Sequence, residues 1–187
     1  MDNLYWKGEI MKKLLLAALA LSLSSTAVFA GEAKVSFAKL DNFTDIKAGH
    51  EQKERFRERL TEEFTSVFAG FAAKLPEGYQ LEIDITDIDL AGDIRPGMTI
   101  HYDQIRWMKE IDWPRIQFTY ALKNAQQEVV ASGKEELRDM DYLRRVRIPS
   151  GKTSFEFEEK MLQDWFKHQV VSGAFPSQDA KTLTATK

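Results

Sequence analysis

Leu81-Glu82-Ile83-Asp84-Ile85-Thr86-Asp87-Ile88-Asp89-Leu90 is the stretch that decides the fold. Leu81, Ile83 and Ile85 alternate with Glu82, Asp84 and Thr86, which is the period of a strand with one face on a core and one in water. Ile88 and Leu90 fall out of that parity. A β-bulge near Thr86 and Asp87 would reset the register, and burial of both faces towards the end is the alternative.

Upstream, the pattern changes to 3.6 residues. Phe56, Leu60, Phe64, Val67, Phe68, Phe71 and Leu75 recur at spacings of three and four between Glu51 and Leu75, placing them on one face of a long helix. Pro76 and Gly78 stop it. Before it, Val35 and Phe37 alternate with Lys34 and Ser36 as a strand, and 41–45 reads as a turn. Downstream, 91–97 is a loop punctuated by Gly92, Pro96 and Gly97, and Ile105, Trp107 and Ile111 hint at a further strand.

Pro114 opens a clearer strand in which Ile116, Phe118, Tyr120 and Leu122 alternate. The segment 123–127 reads as a hairpin turn, with Asn124 the residue suited to a positive φ, and 129–137 returns as its partner. The stretch 142–152 is irregular and basic. Thr153 and Glu156 have capping-box spacing ahead of a second helix whose stripe is Leu162, Trp165, Phe166 and Val170. Gly173 ends it. These elements predict an α+β domain: a mostly antiparallel sheet of about four to five strands, with two amphipathic helices packed on one face.

The N-terminal part belongs to targeting. Met11-Lys12-Lys13 is a basic n-region, 14–23 an apolar run, and Val28-Phe29-Ala30 ends in a residue suited to leader cleavage. Ser22, Ser24, Ser25 and Thr26 interrupt the run well short of the roughly 20 apolar residues of a membrane span. We therefore expect residues 1–30 to comprise an upstream piece and a cleaved signal peptide (Met11 to Ala30). Residues 31–173 then form a single domain, and 174–187 a polar, flexible tail. The product is expected to be soluble and periplasmic, with no transmembrane segment left after cleavage.

The 187-residue chain carries a formal net charge of −3, and removing Lys7, Lys12 and Lys13 with the leader makes it more acidic. An acidic balance argues against a general nucleic-acid partner. The chain has no cysteine, which rules out disulfides, thiolate nucleophiles and cysteine-ligated zinc.

Three segments are similar to a known bacterial group: Thr86-Asp87-Ile88-Asp89-Leu90-Ala91-Gly92, Ile111-Asp112-Trp113-Pro114-Arg115, and Met161-Leu162-Gln163-Asp164-Trp165-Phe166. In their order and spacing they resemble domain-of-unknown-function family 3016, exported proteins of Gram-negative bacteria. The resemblance covers nearly all of the chain after the leader. It implies export and a single domain, and it brings no activity, substrate or catalytic residue.

No motif specifies a reaction. Asp84, Asp87, Asp89 and Asp93 supply the hard oxygen ligands calcium takes, but the EF-hand spacing is missing. His50, His101 and His168 show neither HxH nor HExxH spacing, and there is no GxSxG elbow, P-loop or GxGxxG. Arg138, Arg144, Arg145, Arg147 and Lys152 concentrate positive charge, with Glu135, Glu136, Asp139 and Asp141 nearby to offset it. Tyr102, Trp107 and Trp113 lie together in the least regular part of the domain. They are either plugs at the end of the sheet or an exposed aromatic surface.

The expectation is a binding or interaction module without catalysis, without cofactor or metal, taking an envelope protein or a small ligand. The residues expected to carry that binding are Asp87, Asp89, Trp107, Asp112, Trp113 and Arg115. The competing expectation is a hydrolase acting on cell-envelope material, carboxylate-dependent or metal-assisted, with Asp89 and Asp112 as acid and base.

Overall fold

The computed structural model describes residues 31–94, 105–145 and 154–177. Residues 1–30, where the signal peptide is expected, and Pro96, Gly97, His101, Tyr102, Arg147, Lys152, Thr153 and the residues after Ser177 lie outside them. In chain order the elements are β1 (Glu32–Phe37), a 3-10 turn (Leu40–Asn42), α1 (Lys53–Ala72), β2 (Gln80–Asp89), β3 (Asp93–Ile94), β4 (Arg106–Trp107), β5 (Arg115–Lys123), β6 (Val129–Arg138), α2 (Tyr142–Arg145) and α3 (Glu156–Val171). The fold is α+β.

The main sheet has the order β1-β2-β5-β6. β2 with β5 and β5 with β6 are antiparallel, whereas β1 runs parallel to β2. The long α1 makes that parallel pairing possible, since neighbouring parallel strands need a crossover rather than a tight turn. The expected bulge is present: the register of β2 on β5 shifts between Ile85 and Asp87, leaving Thr86 as the extra residue. Ile88 thereby faces the core opposite Ile116, and Asp87 and Asp89 face away from it, opposite Gln117 and Arg115.

Both long helices cover the same face. Phe68 of α1 meets Phe118 of β5 edge-on at 5.9 Å between ring centroids and Trp165 of α3 at 6.4 Å, joining the three elements. Leu60, Phe64, Leu75, Leu81, Ile85, Ile88, Ile116 and Leu122 complete a dry interior, each contributing about 1.5–3 kcal/mol by burial. The opposite face of the sheet carries Lys34, Ser36, Asp84, Thr119, Ser132 and Lys134, all exposed.

Four local expectations change. The doubtful strand at Ile105, Trp107 and Ile111 reduces to Arg106–Trp107, and it pairs with Asp93–Ile94, inside the segment read as loop, as a separate two-stranded ribbon. In the hairpin the positive φ falls on Gln127 (65°), because Asn124 instead uses its side-chain Oδ1 to accept the backbone N–H groups of Gln126 and Glu128. α3 begins at Glu156 with Phe155 in the cap position. The flexible tail does not start at residue 174: Phe175 is 1% exposed and packs on Tyr120, Trp165 and Phe166 at 5.5, 5.7 and 6.0 Å. A fully apolar ring that reaches the core orders the backbone that carries it.

Candidate binding cleft

At its C-terminal end β2 carries Asp87 and Asp89 on the face away from the helices. The segment 43–47 lies alongside it: Asp45 N–H donates to Ile88 O at 3.1 Å and Leu90 N–H to Asp45 O at 3.0 Å, a parallel bridge that extends the sheet for one residue pair. From the other side Gly92 N–H donates to Asp112 O at 2.8 Å, bringing the 109–114 segment against the end of β2. Gly92 has φ 76°, and a Cβ there would come within 2.6 Å of the Trp107 carbonyl oxygen. Only glycine meets both demands.

These three segments border a cleft of about 290 Å³ lined mainly by polar residues, with Ile111 and Trp113 as its large apolar members. Of the six residues singled out in the sequence, Asp89, Asp112, Trp113 and Arg115 line it. Asp87 joins at its edge. Its two carboxylate oxygens accept the backbone N–H and the hydroxyl of Thr44, both at 2.7 Å. Arg115 Nη2 sits 3.7 Å from Asp87 and 3.6 Å from Asp89, and donates to the Thr44 hydroxyl oxygen at 3.3 Å. Trp107 does not line the cleft; it sits on β4 and is 38% exposed. Trp113 is 36% exposed, so neither tryptophan plugs the sheet end. Tyr142, Phe157 and Ala91 do that instead.

Asp45, Lys47, Arg106 and Glu158 complete the surroundings, and none of the four stands in a motif that marks it in the sequence. Arg106 Nη1 bonds Asp45 Oδ2 at 2.9 Å and the Gly92 carbonyl at 2.8 Å, and its Nη2 reaches the Lys47 carbonyl at 3.2 Å. Lys47 Nζ pairs with Asp93 at 3.0 Å. Glu158, 2% exposed, accepts the Ala91 N–H at 2.7 Å from within the protein. A signal for it existed: Glu158 stands four residues before Leu162, in line with the apolar stripe of α3.

Electrostatically the cleft is acidic. Among the described residues Asp45, Asp89, Asp93 and Asp112 line it with Lys47 and Arg115, and Asp87 and Arg106 pair with lining residues from beside it. Burial raises the Asp89 carboxyl above the ordinary aspartate range, Arg115 pulls it down, and the neighbouring Asp45 and Asp87 charges push it up again. Glu158 is raised by burial, against the opposing pull of the Ala91 N–H.

The other groups singled out are dispersed. Asp84 accepts the Ser36 hydroxyl at 2.9 Å on the open sheet face. His50 and His168 are exposed at opposite ends of the helical layer. Among the described residues no group of three His, Asp or Glu is placed to hold a metal ion, and no helix is long and apolar enough to cross a membrane. Arg138 pairs with Glu136, Arg144 with Glu110 at 3.9 Å, and Arg145 with Asp164 and with Asp139 at 3.2 Å.

A family model described as "Protein of unknown function (DUF3016)" matches residues 31–168. No curated protein and no solved structure matches the chain.

Proposed function

The chain belongs to the DUF3016 family, and from that premise we propose that it is an exported, periplasmic binding protein without chemistry of its own. Its ligand, free or displayed on an envelope protein, carries a positively charged group that enters the cleft at Asp89 and Asp112 and packs against Trp113. The observation that carries this reading is that, among the described residues, carboxylates outnumber cations in a cleft that Trp113 also lines. That combination attracts an ammonium or guanidinium group through both charge and ring quadrupole. The leader at 11–30 supports the compartment.

The test is a tryptophan-fluorescence titration of the chain recovered from the exported fraction, with spermidine and a lysine-containing tripeptide as probes. Saturable quenching is expected, lost in Trp113→Ala and Asp89→Asn while the unfolding temperature holds. Absence of saturable binding to either probe overturns the ligand class, and finding the chain in the cytoplasm with its leader attached overturns the compartment.

The hydrolase reading keeps one specific support: Asp89, with its carboxyl raised by burial, shares the cleft with Asp112. A carboxyl raised by burial can serve as the acid of a hydrolytic pair, and the second carboxyl in the same cleft is its candidate partner. Release of sugar or peptide fragments from envelope material by the wild type and not by Asp89→Asn would favour it over simple binding.

A further inference from the structure

Gly31, the residue that follows the leader, is pressed against the C-terminal end of α1. A Cβ at this position would overlap the carbonyl oxygen of Ala72 and stand 3.1 Å from the Leu75 Cβ. The next residue is already in the sheet, with Glu32 N–H donating to Tyr79 O at 2.9 Å. So the backbone of residue 31 is held where the last carbonyls of a 20-residue helix emerge. Those carbonyls carry the negative end of the helix dipole, and the last turn of α1 contains no basic residue. Lys74, just beyond it, has its Nζ 6.0 Å from the ring centroids of Phe71 and Phe166.

We propose that cleavage after Ala30 creates a cation suited to this helix end: the α-ammonium of Gly31 docks on the C-terminal carbonyls of α1, so that leader removal strengthens the fold electrostatically. This rests on the export reading above. In the cleavage step the cell's leader endopeptidase adds one water across the Ala30–Gly31 peptide bond. The C–N bond breaks, the water oxygen stays on the Ala30 carboxylate, and the Gly31 nitrogen leaves as an amine that takes up a proton. In the uncut chain the same nitrogen is an uncharged amide and supplies no such charge. The need for glycine at this position comes from the Ala72 contact, independently of what the endopeptidase accepts.

A free α-amine has a pKa of about 8, and a helix C-terminus raises it by favouring the charged form. The stabilisation is complete below the unfolded value and is lost as pH rises through the folded one. The charged or titratable side chains closest to Gly31 in sequence and strand register are Glu32 and Lys34 on β1, Lys74, Glu77 and Tyr79 in the turn after α1, and Glu82 on β2. Glu82 is paired with Lys123 at 2.8 Å.

The experiment uses the chain recovered from the exported fraction, its N-terminus read by mass spectrometry, before and after selective acetylation of the α-amine. A start at Gly31 is expected. Acetylation should lower the unfolding temperature by about 1–3 °C at pH 6.5 and have no effect at pH 10.5. In a Gly70→Lys background the acetylation effect should shrink, because residue 70 lies in the last turn of α1 with open space around it. A different N-terminus means there is no amine at Gly31 and overturns the premise. A start at Gly31 with equal unfolding temperatures at pH 6.5 overturns the docking alone.

Discussion

Arg106 and Asp45, 61 residues apart in sequence, form a largely buried ion pair with Arg106 Nη1 2.9 Å from Asp45 Oδ2. The same guanidinium bonds the carbonyls of Gly92 and Lys47, so one side chain ties the β2–β3 turn to the segment that forms the far wall of the cleft. Losing the cation would leave Asp45 buried without its counter-charge. Arg106→Met should therefore cost about 3–5 kcal/mol, measured as the shift in the urea midpoint. Asp45→Asn should cost less, since an amide oxygen still accepts the Lys47 N–H bond. The double variant should cost less than the sum of the two, because the second change removes the orphaned charge.

Glu158 gives a prediction with a definite sign. Burial raises its carboxyl pKa in the folded chain, outweighing the Ala91 N–H and the Arg106 charge that favour ionisation. A raised folded value means its contribution is complete below the ordinary glutamate range and is lost as pH rises through the folded value. Glu158→Gln keeps an acceptor for the Ala91 N–H and cannot ionise. Asp41 and Glu51, held low by hydrogen bonds from Arg57 and Arg59 respectively, act in the opposite direction in both proteins. The measurement is thus the difference in urea midpoint between variant and wild type from pH 4 to pH 8, and it should move in favour of the variant as pH rises. A difference that stays flat over that range would mean Glu158 does not change ionisation there.

Which parts of this architecture the sequence exposes follows from the range of the interactions. The bulge at Thr86 is legible because period-2 alternation breaks within ten residues, and α1 because seven apolar side chains repeat on one face. The parallel pairing of β1 with β2 is not legible, since strand partners are chosen by the crossover and not by either strand's own pattern. Asp87, Asp89, Asp112, Trp113 and Arg115 could be singled out because they cluster in two short segments. Asp45 and Arg106 could not, because each looks like an ordinary surface charge until distant segments close around it. Gln127 takes the positive φ expected of Asn124 because the asparagine side chain is occupied in bonding the turn's own N–H groups.

Gly133 tests the packing of the sheet edge. It lies opposite Tyr120 across β5 and β6, and a Cβ there would come within 2.9 Å of the Tyr120 ring. That ring is held between Trp165 at 5.4 Å and Phe175 at 5.5 Å, so it has little freedom to withdraw. Gly133→Ala should destabilise the fold by about 1–3 kcal/mol through overpacking. The gain in strand propensity from losing a glycine would otherwise favour alanine, so an unchanged or raised unfolding temperature would show that the ring swings aside.

Phe175 carries the last prediction. It follows Gly173, whose φ of 79° turns the chain back after α3, and its N–H bonds Gln169 O at 3.0 Å. Its ring then seals the end of the aromatic cluster formed by Tyr120, Trp165 and Phe166. Phe175→Ala would empty a fully buried site whose neighbours are three rigid rings on β5 and α3, and should cost about 3–5 kcal/mol. A chain ending at Gly173 should lose at least as much, whereas one ending at Ser177 keeps the ring, the Gln169 bond and the Ser177 hydroxyl bond to Lys74 O. Urea unfolding of the two truncations side by side separates a core residue from a dispensable tail: equal midpoints would place Phe175 outside the cooperative unit.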